Sequence, residues 1–167
     1  MSPDFEPAFI RRLLEFPYLQ SPLSVVDVAL NMVKIKPGEV FSDLGCGDGT
    51  VLLRAAEKFN TYCVGFEINP KLAMLARWKA KNCGLGHLVD VVCADIFTLD
   101  LSRLNVIYVY PFPTIIGRLS EKIAAECRKG TRILVHDYPL EGLNPAKSVK
   151  IPEKNLHTHL IHLYIKK

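Results

Sequence analysis

Two acidic residues and a glycine-rich loop form the most chemically informative pattern in this chain. An apolar run over residues 40–44 leads into Asp-Leu-Gly-Cys-Gly-Asp-Gly at residues 43–49, after which helical periodicity begins at Thr50. A second apolar run ends at Glu67, about 20 residues further on. In nucleoside sites, backbone N–H groups at a helix start and a strand-terminal carboxylate bind the ligand. The spacing therefore predicts a nucleoside site, with a glycine turn that merely starts a helix as the alternative.

Details inside the loop disfavour a phosphate ligand. The dinucleotide fingerprint requires a third glycine where Thr50 stands. Asp48 would repel a pyrophosphate at the start of the helix. S-adenosylmethionine carries no phosphate, and its ammonium and sulfonium are compatible with acids such as Asp43 and Asp48. The D-x-G-x-G pattern of residues 43–47 resembles motif I of the class I methyltransferases, which implies S-adenosyl-L-methionine as cofactor and S-adenosyl-L-homocysteine as product.

Further cofactor-binding residues are predicted from position, because ligands of open parallel sheets bind beyond the carboxyl ends of the strands. Glu67 is expected to accept both ribose hydroxyls, with Ile68 on one adenine face. Asp95 is expected to accept the adenine amino group beside Ile96, although a turn or cap role is the alternative for this acid. Asp43, or a water on it, is expected to hold the methionine ammonium. The predicted set is Asp43, Gly45, Cys46, Gly47, Asp48, Gly49, Glu67, Ile68, Asp95, Ile96 and Tyr110, and Asp137 ends a strand at the same edge.

Aromatic residues mark the methyl-acceptor side. Methyl transfer from a sulfonium is an in-line displacement, so catalysis is mostly positioning, with loss of a proton when the acceptor is an ammonium. Tyr110 and Phe112 follow the fourth predicted strand in the run Tyr-Pro-Phe-Pro. With Tyr108 and Tyr18 they are predicted to wall a channel for an alkyl amine. Tyr18 and Tyr110 are the candidate catalytic residues, and core packing is the alternative interpretation of the tyrosines.

Three histidines near the end of the chain do not predict a metal site. In an extended strand, His157 and His159 face opposite to His162, and neither a cysteine nor an acid neighbours them. We interpret them as the solvent side of a strand and expect no metal.

Strands alternating with helices predict a doubly wound parallel sheet. Its first five strands are expected at residues 40–44, 62–66, 88–93, 105–110 and 132–136. Their nearly continuous apolar and β-branched runs are typical of strands covered on both faces by helices.

Capping residues locate two of the predicted helices. Ser21 as N-cap and Pro22 at the first helical position predict a helix to about residue 33. Asn69 and Pro70 predict another to about residue 82. The inner side of this second helix is expected to carry Leu72, Leu75, Ala76 and Trp78. A helix from residue 114 to 127 and a short amphipathic helix over residues 7–16 complete the set.

The tail of the chain breaks the alternation of strands and helices. Residues 148–151 and 157–165 are strand-like runs separated by a hairpin-length turn, and residues 138–147 leave no room for a helix. We therefore expect a single α/β domain over residues 1–167, with a helical segment at 1–36 and a sheet core at 37–167. A hairpin that closes a parallel sheet resembles the end of the Rossmann-like class I methyltransferase fold, and this resemblance implies a mostly parallel seven-stranded sheet with an antiparallel last strand and helices on both faces.

Composition limits the size, the partners and the location that we expect for this protein. The 167 residues are 49% hydrophobic, which is enough for one buried core. The net charge of +4 is too small to identify a polyanionic partner, so nucleic acid stays open. The five cysteines form no CxxC pair and are typical of reduced, mostly buried thiols. Without a run of about 18 apolar residues or signal-peptide features, we expect a cytoplasmic monomer with no membrane partner.

From about residue 18 onward, the chain resembles the small archaeal protein lysine methyltransferases and their mitochondrial relatives. The shared features are Pro-Tyr-Leu-Gln-Ser-Pro at 17–22, the loop at 43–49, Val-Gly-Phe-Glu-Ile-Asn-Pro at 64–70, Gly-Thr-Arg at 130–132, Gly-x-Asn-Pro at 142–145 and the hairpin end. The resemblance implies that protein lysines are the substrate and that the segment around Tyr18 folds over the cofactor. The chain departs from the family at residues 110–113 and at Gln20, where a proline is common.

Three functional hypotheses follow. The first is an S-adenosylmethionine-dependent methyltransferase that N-methylates accessible lysine side chains of proteins. The second is methylation of RNA or a small metabolite. The third is a binding module that retains the cofactor pocket without turnover.

Overall fold

One seven-stranded sheet forms the centre of the protein. The structure, a computed structural model, describes residues 17–153 and 157–167. The strands are β1 Phe41–Leu44, β2 Cys63–Glu67, β3 Val89–Cys93, β4 Val106–Val109, β5 Arg132–His136, β6 Lys147–Pro152 and β7 Thr158–Ile165. Their order is β3-β2-β1-β4-β5-β7-β6. The first five strands are mutually parallel, whereas β7 is antiparallel to both of its neighbours, which confirms the predicted sheet.

Four helices accompany the sheet in the described part of the chain. They are α1 Leu23–Asn31, α2 Thr50–Phe59, α3 Pro70–Asn82 and α4 Ile116–Glu126. Residues 138–147 contain no helix, as predicted. The helix predicted over residues 7–16 lies outside the described residues. No described helix is both long enough and apolar enough to span a bilayer.

The two faces of the sheet bury separate apolar clusters. Side chains of successive strand residues point to opposite faces. Accordingly, Val106 and Tyr108 join the cluster packed by α1, α2 and α3, while Ile107 and Val109 join the cluster packed by α4. The nearly continuous apolar runs thus supply both faces at once, and the prediction of helices on both sides is confirmed.

Two details of the helices differ from prediction. Ser21 is not an N-cap, because its hydroxyl lies 3.0 Å from the Tyr108 hydroxyl instead, and α1 begins after Pro22. The inner face of α3 consists of alanines, whereas Leu75 and Trp78 are 39% and 63% exposed. Small residues are needed on that face because α3 packs directly on the glycine loop.

The chain reverses its direction of travel across the sheet at β1. From β1 it proceeds through β2 to β3 on one side and then crosses to β4 on the other. Such a switch point leaves a crevice beyond the carboxyl ends of the two central strands. The glycine loop between β1 and α2 lies at this crevice, so the fold places the predicted site where the sheet is open.

We expect Gly65→Ala to destabilise the fold. A Cβ at this position in β2 would lie 2.4 Å from Leu52 Cδ1 and 2.6 Å from Cys46 Sγ, beneath the glycine loop. Overpacking of this kind costs about 1–3 kcal/mol. Urea unfolding measures the change. The matched control is Gly86→Ala, whose Cβ would meet Lys81 Cα at 3.7 Å. Equal losses of unfolding free energy in the two variants would contradict the close packing at Gly65.

Candidate functional site

A cavity of about 440 Å³ lies in the crevice beyond β1, β2 and β4. Its volume is within the range of about 300–1,000 Å³ that small-molecule sites occupy. It is lined by many of the predicted residues: Tyr18, Gly45, Glu67, Ile68, Asp95, Ile96 and Tyr110. The sequence pattern therefore located this cavity.

A smaller cavity of about 30 Å³ adjoins the glycine loop. Asp43, Cys46 and Asp48 line it. Gly47 and Gly49 line neither of these two cavities. Their φ angles of +54° and +83° lie in the left-handed region, which glycine adopts without strain, so they shape the loop.

Glu67 connects the loop to the start of α3. The side chain is only 7% exposed. Its Oε2 accepts a hydrogen bond from the Gly47 N–H at 2.8 Å, and its Oε1 accepts one from the Asn69 N–H at 2.8 Å. Asn69 in turn caps α3 by accepting from the Lys71 N–H at 3.0 Å. Because a carboxylate oxygen accepts more than one hydrogen bond, Glu67 can hold this framework and still bind a ligand hydroxyl.

Asp43 and Asp48 are two acids with opposite pKa shifts. Burial raises the pKa of Asp43 well above its usual value, and the charges of Glu67 and Asp48 raise it further. Burial also acts to raise the pKa of Asp48, but hydrogen bonds led by the one from the Lys79 ammonium hold it below its usual value. Asp48 is therefore a paired anion, whereas Asp43 is a buried acid that lacks a compensating cation within the described residues.

Tyr18 covers the glycine loop. A Cβ at Gly47 would lie 2.2 Å from Tyr18 Cε2, so the ring rests directly on that glycine. Burial, followed by a hydrogen bond to Asp48, raises the pKa of the Tyr18 hydroxyl. The ring borders both cavities and is 43% exposed. The segment around Tyr18 thus lies over the loop at the junction of the two cavities.

Tyr110 lines the main cavity and, like Tyr18, also borders the small one. Its hydroxyl donates to Asp137 Oδ2 at 2.8 Å, and its ring stacks on His136 with centroids 3.8 Å apart. Burial, followed by the hydrogen bond to Asp137, raises its pKa. Tyr108 does not line the main cavity with Tyr18 and Tyr110, because it is 1% exposed and belongs to the core, and it borders only the small cavity.

Asp95 combines the two roles considered for it. Its Oδ1 accepts from the Phe97 N–H at 3.0 Å, which caps a short 3₁₀ turn. The residue also lines the main cavity together with Ile96. The cap therefore holds Asp95 in place at the cavity wall.

The predicted solvent-facing histidine strand is wrong for two of the three residues. The side chain of His157 is 62% exposed, but His159 and His162 are 7% and 8% exposed. His159 Nδ1 lies 3.1 Å from Asp137 Oδ2, and His162 Nδ1 lies 2.8 Å from Ser148 Oγ. The acid beside His159 comes from the end of β5, so its proximity was not evident in the sequence.

His136, Asp137 and His159 each place a nitrogen or oxygen atom within 4.8 Å of the others. Two of these atoms, His136 Nε2 and His159 Nδ1, lie 2.9 Å apart, which is a hydrogen-bond distance. The close approach is therefore explained by hydrogen bonding, and the absence of a metal stays a prediction.

Residues outside the predicted set complete the wall of the main cavity. The Arg118 guanidinium lies 3.9 Å from the centroid of the Phe97 ring, and Tyr138 is 39% exposed at the cavity. Phe97 directly follows Ile96, so extending the predicted segment by one residue would have found it. Arg118 carries no such signal, because its position depends on how α4 packs.

Comparison with known proteins agrees with this geometry. Residues 43–147 match the family described as the ANTKMT methyltransferase domain. A protein-lysine N-methyltransferase of Saccharolobus islandicus is 30% identical over 89% of this chain and 92% of its own length. An adenine nucleotide translocase lysine N-methyltransferase of Mus musculus is 29% identical over 81% of this chain and 59% of its own length. The crystal structure of an RNA methyltransferase from Salinibacter ruber in complex with S-adenosyl-L-homocysteine superposes with a TM-score of 0.79 at 30% identity, covering 89% of this chain and 95% of that one.

The sheet order, the loop and these similarities define one class, the class I S-adenosylmethionine-dependent methyltransferases, and the protein is an enzyme of that class. Within the class, the chain belongs to the ANTKMT methyltransferase domain family.

We expect Glu67→Gln to lower the free energy of unfolding by about 1–3 kcal/mol, the cost of one unsatisfied buried group. A glutamine amide has one accepting atom, so either the Gly47 N–H or the Asn69 N–H loses its partner. Urea unfolding, with amide hydrogen exchange at both positions, measures the effect. Glu121→Gln on the exposed side of α4 serves as the control. Unchanged exchange at Gly47 and Asn69 would show that Glu67 does not hold the loop.

Proposed function

We propose that this enzyme N-methylates lysine side chains of proteins, with S-adenosyl-L-methionine as the methyl donor. Relatives named as lysine N-methyltransferases support the substrate class, since one of them is 30% identical over 89% of this chain. The observation that carries the proposal is the aromatic lining of the main cavity.

We assign the part of the main cavity that is lined by tyrosines and phenylalanines as its acceptor end. Tyr18, Tyr110, Phe112 and Tyr138 line the main cavity. Aromatic faces attract cations and pack against methylene groups, so this lining suits an alkyl chain that ends in a nitrogen. We assign Tyr18 and Tyr110 as the residues that contact the incoming nitrogen.

The residues around the glycine loop fit the cofactor chemically. In the described part of the chain, no lysine or arginine lines the small cavity, while Asp43 and Asp48 do. Lys79, the cation beside the loop, is already paired with Asp48. An acidic surface of this kind suits a ligand with positive charge and no phosphate.

We assign a cofactor contact to each of these residues from its position at the two cavities. Asp43 would hold the ammonium, Glu67 would accept the ribose hydroxyls, and Asp95 with Ile96 would bind the adenine. When bound, the cofactor supplies an electrophilic methyl group on its sulfonium. Tyr18 and Tyr110 then position the attacking nitrogen and exclude water from it.

RNA is the second candidate substrate. The similarity to the Salinibacter ruber protein, named as an RNA methyltransferase, favours it. Arg118 provides one cation at the main cavity for a phosphate or a base. The aromatic acceptor end favours the lysine proposal over this one.

A cytoplasmic location and a monomeric state are further parts of the proposal. All five cysteines are free thiols, and Cys83 and Cys93 are exposed, as is compatible with a reducing compartment.

Incubation of the enzyme with cell extract and methyl-labelled cofactor tests the substrate class. We expect the label to enter protein, to be released by protease but not by nuclease, and to appear as methyllysine after hydrolysis. The Glu67→Ala variant lacks the carboxylate proposed to bind the ribose, so it measures the background incorporation of label. Nuclease-sensitive label would support RNA instead, and transfer to no fraction would contradict the proposal.

We expect cofactor affinity to rise with pH. At low pH, the raised pKa of Asp43 leaves this side chain a neutral acid, and above that pKa it becomes the carboxylate that attracts the ammonium. Binding and loss of the Asp43 proton are therefore coupled, so affinity increases through the pKa of Asp43 and falls again where the ammonium of the cofactor loses its own proton, at about pH 8. Isothermal titration of S-adenosylmethionine over a pH series measures this dependence.

Asp43→Asn should weaken binding and abolish the pH dependence. 5′-Methylthioadenosine, which lacks the ammonium, should bind the wild-type enzyme without this rise. An unchanged rise in Asp43→Asn would show that another group holds the ammonium.

A further inference from the structure

Behind Tyr110 lies a chain of buried polar groups that reaches from the main cavity to β7. The Tyr110 hydroxyl and the Leu160 N–H both donate to Asp137, at 2.8 Å and 2.9 Å. His159 Nδ1 lies 3.1 Å from Asp137 Oδ2 and 2.9 Å from His136 Nε2. We name the side chains of Tyr110, Asp137, His159 and His136 the Asp137 network.

The charges of the network determine where its hydrogens lie. Burial acts to raise the pKa of Asp137, but hydrogen bonds led by the one from the Leu160 N–H lower it overall, so Asp137 is an anion and only accepts. His159 Nδ1 must therefore carry a hydrogen and donate it. His136 Nε2 lies 2.9 Å from the same His159 Nδ1 and accepts the second branch of this bifurcated hydrogen bond.

The far end of the network is consistent with this assignment. Burial lowers the pKa of His136 to about 4, so its ring is neutral at physiological pH. With Nε2 accepting, the ring hydrogen is on Nδ1, which lies 2.9 Å from the Tyr108 hydroxyl and 3.3 Å from Ser21 Oγ. Each hydrogen-bond donor in the Asp137 network thus faces an acceptor.

The network has one consequence at the cavity surface. Since Asp137 can only accept, the hydrogen of the Tyr110 hydroxyl points away from the cavity and toward the carboxylate. The lone pairs of the phenol oxygen remain available on the other side. The ring cannot rotate out of this position easily, because it stacks on His136.

We propose that the Asp137 network holds Tyr110 as a hydrogen-bond acceptor for the nitrogen that receives the methyl group. This inference rests on the proposed function, because it requires an amine substrate. The lysine ammonium first loses a proton to solvent, and one N–H of the resulting neutral amine donates to the Tyr110 oxygen, which turns the nitrogen lone pair toward the methyl group in line. The bond from nitrogen to the methyl carbon would then form as the bond from sulfur to that carbon breaks, with the electron pair leaving on the sulfur of S-adenosyl-L-homocysteine. Tyr110 touches the substrate, while Asp137, His159 and His136 are positioning residues.

The backbone at Asp137 supports a specific placement of this acid. Its φ of +62° is left-handed, a conformation that costs free energy for most residues but that Asp and Asn tolerate. Asp137→Asn therefore keeps the backbone and changes only the hydrogen-bond polarity. The Leu160 N–H donates to Oδ1, and His159 Nδ1 lies 3.2 Å from that same oxygen. We therefore expect the asparagine oxygen to take the Oδ1 position, so that the NH₂ group replaces Oδ2, faces Tyr110 and forces the hydroxyl hydrogen toward the cavity.

A double-mutant cycle with Tyr110→Phe and Asp137→Asn tests the proposal. We expect each single variant to lower kcat on the order of 10²-fold, the cost of misplacing a reacting group. Cofactor affinity by isothermal titration should stay near the wild-type value. Asp137→Asn should have little further effect in the Tyr110→Phe background, because its effect acts through the lost hydroxyl.

Two controls separate positioning from stability. Tyr62→Phe also removes a hydrogen bond from a tyrosine to an aspartate, Asp90, but at the opposite end of β2, and it should leave kcat unchanged. His159→Asn keeps an N–H donor near Nδ1 and should retain more activity than His159→Leu.

The outcomes distinguish this inference from the function on which it rests. If wild-type enzyme transfers no methyl group to protein amines, the proposed function fails. If wild-type enzyme is active and Asp137→Asn has the same kcat, the inference alone is overturned. Multiplicative losses in the double variant would likewise overturn it, because they would show that the two residues act independently.

Discussion

The site depends on a single carboxylate, that of Glu67, which stabilises the fold whether or not a ligand is bound. Glu67 ends β2 and accepts hydrogen bonds from the backbone of Gly47 in the loop and of Asn69 at the start of α3. These groups belong to segments that follow different strands, and the Glu67 carboxylate adds to the backbone hydrogen bonds that the Gly45 and Cys46 N–H groups donate to the Phe66 carbonyl. Because one side chain joins the two segments and also lines the main cavity, the geometry of the loop and the geometry of the binding surface are set together.

The second constraint is the concentration of negative charge around the loop. Asp48 is compensated by Lys79, whereas Asp43 lies buried next to Glu67 with a raised pKa. Placing uncompensated acids together costs stability in the free protein, and a cationic ligand offsets that cost. The electrostatic arrangement therefore accounts for the choice of a positively charged nucleoside over a phosphorylated one. The aromatic residues that line the main cavity then suit a second group, the methyl acceptor.

The sequence predicted the sheet, the loop and the position of Glu67 at the end of β2 because all three depend on patterns within short stretches of chain. The misassigned residues all depend on contacts between distant segments. Ser21 has the composition of an N-cap but bonds to the core, and Trp78 is exposed because the loop requires alanines beneath it. The contact between Asp137 and His159 arises from the antiparallel pairing of β5 with β7, whose register the sequence does not determine.

We expect Glu67 to bind the ribose of the cofactor while it holds the loop. A crystal structure of the complex with S-adenosyl-L-homocysteine tests this most directly. In that structure, both ribose hydroxyls should lie within hydrogen-bond distance of the Glu67 carboxylate, and the bonds from the Gly47 and Asn69 N–H groups should be intact. A ribose bound elsewhere, or a Glu67 side chain turned away from the sugar, would contradict it.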